Sequence, residues 1–146
     1  MNKVFLVIIA FAAILSSCNS TQKVSKSENA LEGSWQLNYI TGPRIAFKGL
    51  YPDAIPFVNF DITGKRFSGS NSCNRFSGSL NIDNNKINFK DDKTAMTMMA
   101  CQGEGEQVFM STLEKIDSYS ISEDGKTLNF LMGDVAMMRF DKIADK

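Results

Sequence analysis

The sequence predicts a mainly β fold: a compact antiparallel, barrel-like sheet of about eight short strands with one α-helix near residues 104–116. Three observations carry that prediction. Apolar and polar residues alternate in short runs, the period of half-buried strands. Turn-forming residues recur roughly every eight to twelve positions, the spacing of a small all-β domain. One stretch alone shifts to a helical period.

The first strand is expected at 34–40 (S-W-Q-L-N-Y-I), where every second side chain is apolar. Residues 56–62 (P-F-V-N-F-D-I) alternate likewise, with Phe60 and Ile62 on one face. Residues 65–70 and 78–82 are short segments rich in Gly and Ser. The turn Asp83-Asn84-Asn85 joins the second of these to 86–90 (K-I-N-F-K), a predicted hairpin. Three more strands are expected at 119–122, 127–132 and 135–141, separated by the turns E-D-G-K (123–126) and Gly133-Asp134.

Between these groups, Phe109, Leu113 and Ile116 fall at i, i+4 and i+7, one face of a helix. Glu104 and Glu106 would occupy its first turn and Lys115 its last, as the macrodipole favours. Such a helix would cover an open sheet edge or plug one end. The longest loop, 42–55 (GPRIAFKGLYPDAI), carries Phe47, Leu50 and Tyr51. Long loops bearing aromatic residues are where binding sites tend to lie, so these three are candidate ligand contacts.

Composition excludes more than it selects. The chain has 146 residues, 16 Lys+Arg against 16 Asp+Glu, three Cys and no His. Charge balance argues against nucleic acid as a partner, since phosphate binding needs a basic surplus on one face. Without histidine, Ser-His-Asp and Cys-His nucleophiles, His general bases and imidazole-built zinc sites are excluded. The acidic pairs Asp91-Asp92, Glu123-Asp124 and Glu104/Glu106 read as solvated turns and caps, not as an acid/base pair. No catalytic residue, metal or cofactor is expected, and the chain reads as a non-enzyme.

The first eighteen residues carry an address. Met1-Asn2-Lys3 supplies one positive charge, and residues 4–15 (VFLVIIAFAAIL) are twelve uninterrupted apolar residues. That run is too short to span a bilayer core of about 30 Å as a helix and fits a signal-peptide core. Leu15-Ser16-Ser17-Cys18 resembles the lipobox of bacterial lipoprotein precursors. The resemblance implies cleavage after Ser17 and lipid on the Cys18 thiol; the alternative is an ordinary secretory signal whose cleavage site contains Cys. Each buried methylene adds about 0.8 kcal/mol, so several acyl chains make a lasting membrane anchor.

Residues 19–32 (NSTQKVSKSENALE) are too polar to order themselves and read as a flexible tether. The organisation is thus a signal peptide at 1–17, a lipidated Cys and tether at 18–32, and one folded domain at 33–146. Asn19 in place of Asp, and no acidic run after Cys18, favour the outer membrane facing the periplasm.

With Cys18 given to lipid, Cys73 and Cys101 remain as a pair in an oxidising compartment, where a disulfide is the default. Closing a loop of about 28 residues is worth roughly 3–4 kcal/mol in the chain-entropy model. A metal site is weaker, because two thiolates without histidine fall short of four ligands. A redox pair is disfavoured by the absence of a C-x-x-C motif.

Several blocks now become recognisable. W-Q-L at 35–37 is followed by Phe60-Asp61, F-S-G-S-N-S-C-N-R-F-S-G-S at 67–79 and T-A-M-T-M-M-A-C at 94–101, then Glu106, Phe109 and Leu113. This series resembles the META domain, the HslJ-like family of envelope and secreted proteins, over essentially the whole mature domain. Two departures are Ser72, where the family block usually carries Gly before its Cys, and Met96 as an extra upstream Met in the second block. The resemblance implies a barrel-like antiparallel sheet with a helix, linked cysteines and no established enzymatic activity. It also implies a loose association with stress response and envelope function. The fold is similar to that of lipoprotein pilots that hold a lipid or peptide, although fold alone does not confer function.

Within the first block, Ser70, Asn71, Ser72 and Asn74 read as turn residues that satisfy backbone groups. Gly69 and Gly78 read as places of close backbone approach. Arg75 is open between a structural ion pair or carbonyl clamp and a ligand contact. Met96 and Met98 beside Cys101 resemble a Cu(I) site in type, with core filling as the plainer reading. The function expected is that of a membrane-anchored envelope accessory binding a protein partner or a hydrophobic ligand. The alternative is a structural or chaperone-like factor with no small ligand.

Overall fold

The computed structural model describes residues 29–90 and 94–144. The expected signal peptide, Cys18 and the tether as far as residue 28 lie outside the described residues. Ten strands form one antiparallel sheet: β1 (Gly33–Ile40), β2 (Phe57–Asp61), β3 (Arg66–Ser70), β4 (Arg75–Ser79), β5 (Asn81–Asp83), β6 (Lys86–Asn88), β7 (Ala95–Met96), β8 (Ser118–Ile121), β9 (Thr127–Met132) and β10 (Val135–Ile143). Among the described residues, a single helical turn α1 (Phe47–Leu50) and the longer α2 (Gly105–Leu113) accompany them, and residues 29–31 are helical as well. The mainly β expectation holds. Ten strands replace about eight, and α1 adds to the single expected helix.

The sheet runs β5-β6-β8-β9-β10-β1-β2-β3-β4-β7. β4 and β5 lie near opposite ends of that order, yet only Leu80 separates them in sequence. The sheet must therefore curl until its two ends meet at Leu80, whose N–H donates to the Lys65 carbonyl. Register shifts between Leu37 and Tyr39 on β1, and between Ala136 and Met138 on β10, sharpen the twist at mid-sheet.

Alternation decides which face goes in. β1 buries Trp35, Leu37 and Ile40, β2 buries Val58 and Phe60, and β9 buries Leu128 and Phe130. Inside, a chain of ring contacts runs from Phe109 on α2 through Phe76, Phe67, Phe89 and Phe130 to Phe140, with centroids 5.0–6.2 Å apart. Each such pair adds about 0.5–1.5 kcal/mol beyond its buried area. The interior is thereby filled with rings along this line.

β3 and β4 carry the same pentapeptide, R-F-S-G-S, at 66–70 and 75–79. Paired antiparallel, the copies place Phe67 opposite Gly78 and Phe76 opposite Gly69, about a centre at Ser68 and Ser77. Each Phe ring lies over the glycine facing it. A Cβ on Gly78 would come within 2.7 Å of Phe67 Cζ, and one on Gly69 would collide with the Phe57 carbonyl oxygen. The close approach expected at these glycines is present, within paired strands.

Three expectations are corrected. Residues 29–32 do not belong to the tether expected at 18–32: Leu31 is fully buried and its carbonyl accepts from Trp35 Nε1 at 2.8 Å. Glu32 also accepts the Ile62 N–H at 2.7 Å, so the packed domain includes these residues. Helix α2 ends at Leu113, which puts Lys115 beyond its last turn; Ile116 completes the buried face from the following turn. Leu50 and Tyr51 do not sit on an exposed loop. The α1 turn folds them into the core, where both are buried and the Leu50 carbonyl and Tyr51 ring lie against Gly105 of α2.

Candidate functional site

Two places gather polar chemistry. The first is built from the two recognisable blocks and α2. Asn71 Oδ1 accepts the N–H groups of Cys73 (3.2 Å) and Asn74 (2.7 Å), closing the turn between β3 and β4. Ser72 in that turn has φ +88°, a left-handed conformation in which the family's usual Gly is at ease. Cys73 and Cys101 form a disulfide with Cα atoms 5.9 Å apart.

Asn74 is the hub. Its Oδ1 accepts from Thr97 Oγ1 at 2.7 Å and from the Met99 N–H at 2.8 Å. Its Nδ2 donates to Glu106 Oε1 at 2.9 Å and to the Met99 carbonyl at 3.2 Å. One buried amide thus ties the β3–β4 turn, the segment after β7 and the first turn of α2 together. Glu106 stands at the helix N-terminus, where a carboxylate is favoured.

This network reads as a clamp. The sulfurs of Cys73 and Cys101 lie within 4.8 Å of a Glu106 oxygen, but both are spent on their mutual bond. Met98 is 94% exposed, and Met96 Sδ lies 3.5 Å from Asn71 Nδ2. Arg75 bonds through its backbone, its N–H donating to Thr97 Oγ1 and its carbonyl accepting the Thr97 N–H. Its side chain is exposed and makes no ion pair among the described residues, so the structural ion pair is not formed. Arg75 lines a shallow cavity of about 460 Å³ with Phe57, Phe76 and Met96. Phe47 is half-buried and stacks edge-on against Tyr51 at 5.2 Å. The four candidate contacts therefore do not converge: Phe47, Leu50 and Tyr51 serve the core, and Arg75 lies apart.

The second place is a cleft of about 710 Å³ at the seam where the sheet's ends meet. Its floor is Leu80, Ile87 and Ile116, all buried, with Ile62 and Ile82 half-buried beside them. Ile82 and Ile87 face one another across β5 and β6. Lys65, Lys86, Lys90 and Lys115 stand on the rim with Asp83 and Asp117. Asp117 accepts from the Gly133 N–H at 2.8 Å and from Ser118 Oγ at 2.7 Å. Those bonds hold its carboxyl below the usual carboxylate range, helped by Lys86 at 3.9 Å. Sequence reading missed this site, because its residues come from separate elements and share no motif.

A further unsatisfied group is the Tyr51 hydroxyl, buried with no hydrogen-bond partner among the described residues. Burial pushes its pKa well above the ordinary phenol value.

The META domain family model matches residues 28–144. The curated proteins contain no sequence match to the chain. Among solved structures, an NMR structure of a protein from Burkholderia xenovorans is 23% identical, with TM-score 0.62 over 81% of this chain and 87% of that one. A crystal structure of a DUF4847 family protein from Bacteroides vulgatus ATCC 8482 is 14% identical, with TM-score 0.53 over 82% of this chain and 98% of the other. At these identities the likeness is one of fold.

Proposed function

The chain belongs to the META domain family, and on that premise we propose that it is a lipid-anchored envelope protein that acts by binding rather than by catalysis. Its ligand is hydrophobic and occupies the cleft at the seam of the sheet. The observation that carries this reading is the cleft itself, open to solvent and walled by half-buried Ile62 and Ile82 over buried Leu80, Ile87 and Ile116, beside an interior already packed with rings. Ligand sites of β-barrels commonly lie in the mouth, with volumes of about 300–1,000 Å³. The address rests on the sequence alone: the apolar run at 4–15, the L-S-S-C block ending at Cys18, and a polar tether leading to the domain.

Native mass spectrometry of the protein extracted from membranes tests the binding reading. A co-purifying apolar molecule, displaced by blocking the cleft with Ile82→Trp, is the expected result. A clean apo mass under conditions that preserve lipid contacts would sink it. Cys18→Ser should release the protein from the membrane fraction; retention refutes the anchor.

A second reading, a structural accessory docking a protein partner, is favoured by a run of exposed thioethers after β7. Met98 and Met99 are 94% and 59% exposed, and flexible methionine surfaces suit protein contacts. Crosslinks from this segment to an envelope assembly, together with an empty cleft, would favour it. Cu(I) binding by the oxidised domain that is lost in a Met96/Met98 double substitution would favour the copper alternative over both.

A further inference from the structure

The cleft has a charge character that the chain as a whole does not. Sixteen basic and sixteen acidic residues balance over the sequence, yet among the described residues the rim sets four lysines against two aspartates. One of the two, Asp117, is already committed to Gly133, Ser118 and Lys86. Lys65, Lys90 and Lys115 have no carboxylate within 4.0 Å among the described residues. Cations around a concave apolar wall reinforce one another, because the wall excludes the solvent that would screen them.

We propose that the cleft takes a single-chain amphiphile with an anionic head, its chain against Ile62 and Ile82 above the buried Leu80, Ile87 and Ile116 and its head among Lys65, Lys86 and Lys115. This deepens the binding reading and rests on it. Each part of the site selects for one part of the ligand. The half-buried Ile62 and Ile82 gain from covering by methylene groups, which removes their remaining apolar surface from water. The lysines gain from a carboxylate or phosphate oxygen, and their ammonium groups would repel a cationic head. A neutral head would leave that rim without a counter-charge. Lys65 comes from the turn before β3, Lys86 from β6, and Lys115 from the chain after α2. The head site is therefore assembled only when the curled sheet has closed at Leu80.

The test places the full chain in phosphatidylcholine nanodiscs and adds photoreactive dodecyl probes with carboxylate, phosphate, glycoside or trimethylammonium heads. Adducts are located by mass spectrometry of proteolytic fragments. Saturable labelling of cleft residues by the anionic probes is expected to exceed that by the ammonium probe about tenfold, and a Lys65→Glu/Lys115→Glu variant should lose about that factor. Both lysines are exposed, and an unchanged thermal transition establishes that the variant is folded. Preference for carboxylate over phosphate marks a fatty acid as the source, and the reverse marks a phosphorylated lipid. Equal labelling by all four heads overturns the anionic assignment and leaves apolar binding standing. No labelling of the cleft by any probe overturns both.

Discussion

Asn74→Ala should be among the most damaging single changes in the protein. The amide is 1% exposed and bonds to Thr97, to both backbone groups of Met99 and to the Glu106 carboxylate. Three neutral hydrogen bonds at about 1 kcal/mol each and one charge-assisted bond at about 2 kcal/mol set the scale. Relief of the amide's own desolvation and entry of water reduce the sum, leaving a loss of about 4 kcal/mol. With a urea slope of roughly 2 kcal/mol per molar, the unfolding midpoint should fall by about 2 M. Trp35 is the only tryptophan and is fully buried, so its fluorescence reports the transition with the disulfide intact. A midpoint shift below about 0.5 M would refute the clamp reasoning. Asn74→Asp supplies a second arm: it sets a carboxylate against Glu106, so its cost should shrink as pH falls through the carboxylate range.

Three further outcomes are expected. Ser72→Gly should raise stability by about 0.5–1 kcal/mol, because glycine relieves the φ of +88° at more benefit than its unfolded-state entropy costs; a lower calorimetric transition temperature would contradict this. Gly69→Ala should cost about 2–3 kcal/mol, since its Cβ meets the Phe57 backbone and the Phe76 ring. Gly103→Ala, with open space around it, should cost about 1 kcal/mol from its φ alone, and equal losses at the two sites would defeat the argument. Tyr51→Phe should be neutral or stabilising by about 1 kcal/mol, because the lost hydroxyl has no partner among the described residues. Since the folded phenol is held above its unfolded value near 10, Tyr51 keeps its proton in the fold when the unfolded chain has lost it. Stability therefore falls as pH rises past about 10, and that decline should flatten in Tyr51→Phe.

The strands with clean period-2 alternation were legible because both their faces have defined solvents; Trp35, Leu37, Phe60, Leu128 and Phe130 all go inward as the pattern predicts. β4 was harder to see. Its Arg75–Ser79 run is Gly- and Ser-rich, and the signal that reveals it is the repeat of R-F-S-G-S nine positions after β3 begins. β7 has two residues, too few for any period. Leu50 and Tyr51 read as loop residues because Gly and Pro recur around them without a regular period, whereas tertiary packing against Gly105 decides their place. The clamp could be anticipated as turn chemistry at Asn71, but the reach of Asn74 to Glu106 spans 32 positions and belongs to the fold. The lysine-rimmed cleft is dispersed in the same way.

β1 and β10 are the first and last strands among the described residues, yet they pair at mid-sheet, with Ser34 opposite Ile143. Along the ladder, β5, β6, β8 and β9 on one side are hydrogen-bonded to β2, β3, β4 and β7 on the other through this pairing. A growing chain therefore has no centre to its sheet until β10 has emerged. Pairing of such distant segments is slow, because the loop entropy must be overcome before the contact forms. The order of synthesis thus delays closure of the sheet until β10 has been made. Moving the β10 sequence ahead of β1 by circular permutation should remove that delay and let the sheet nucleate early.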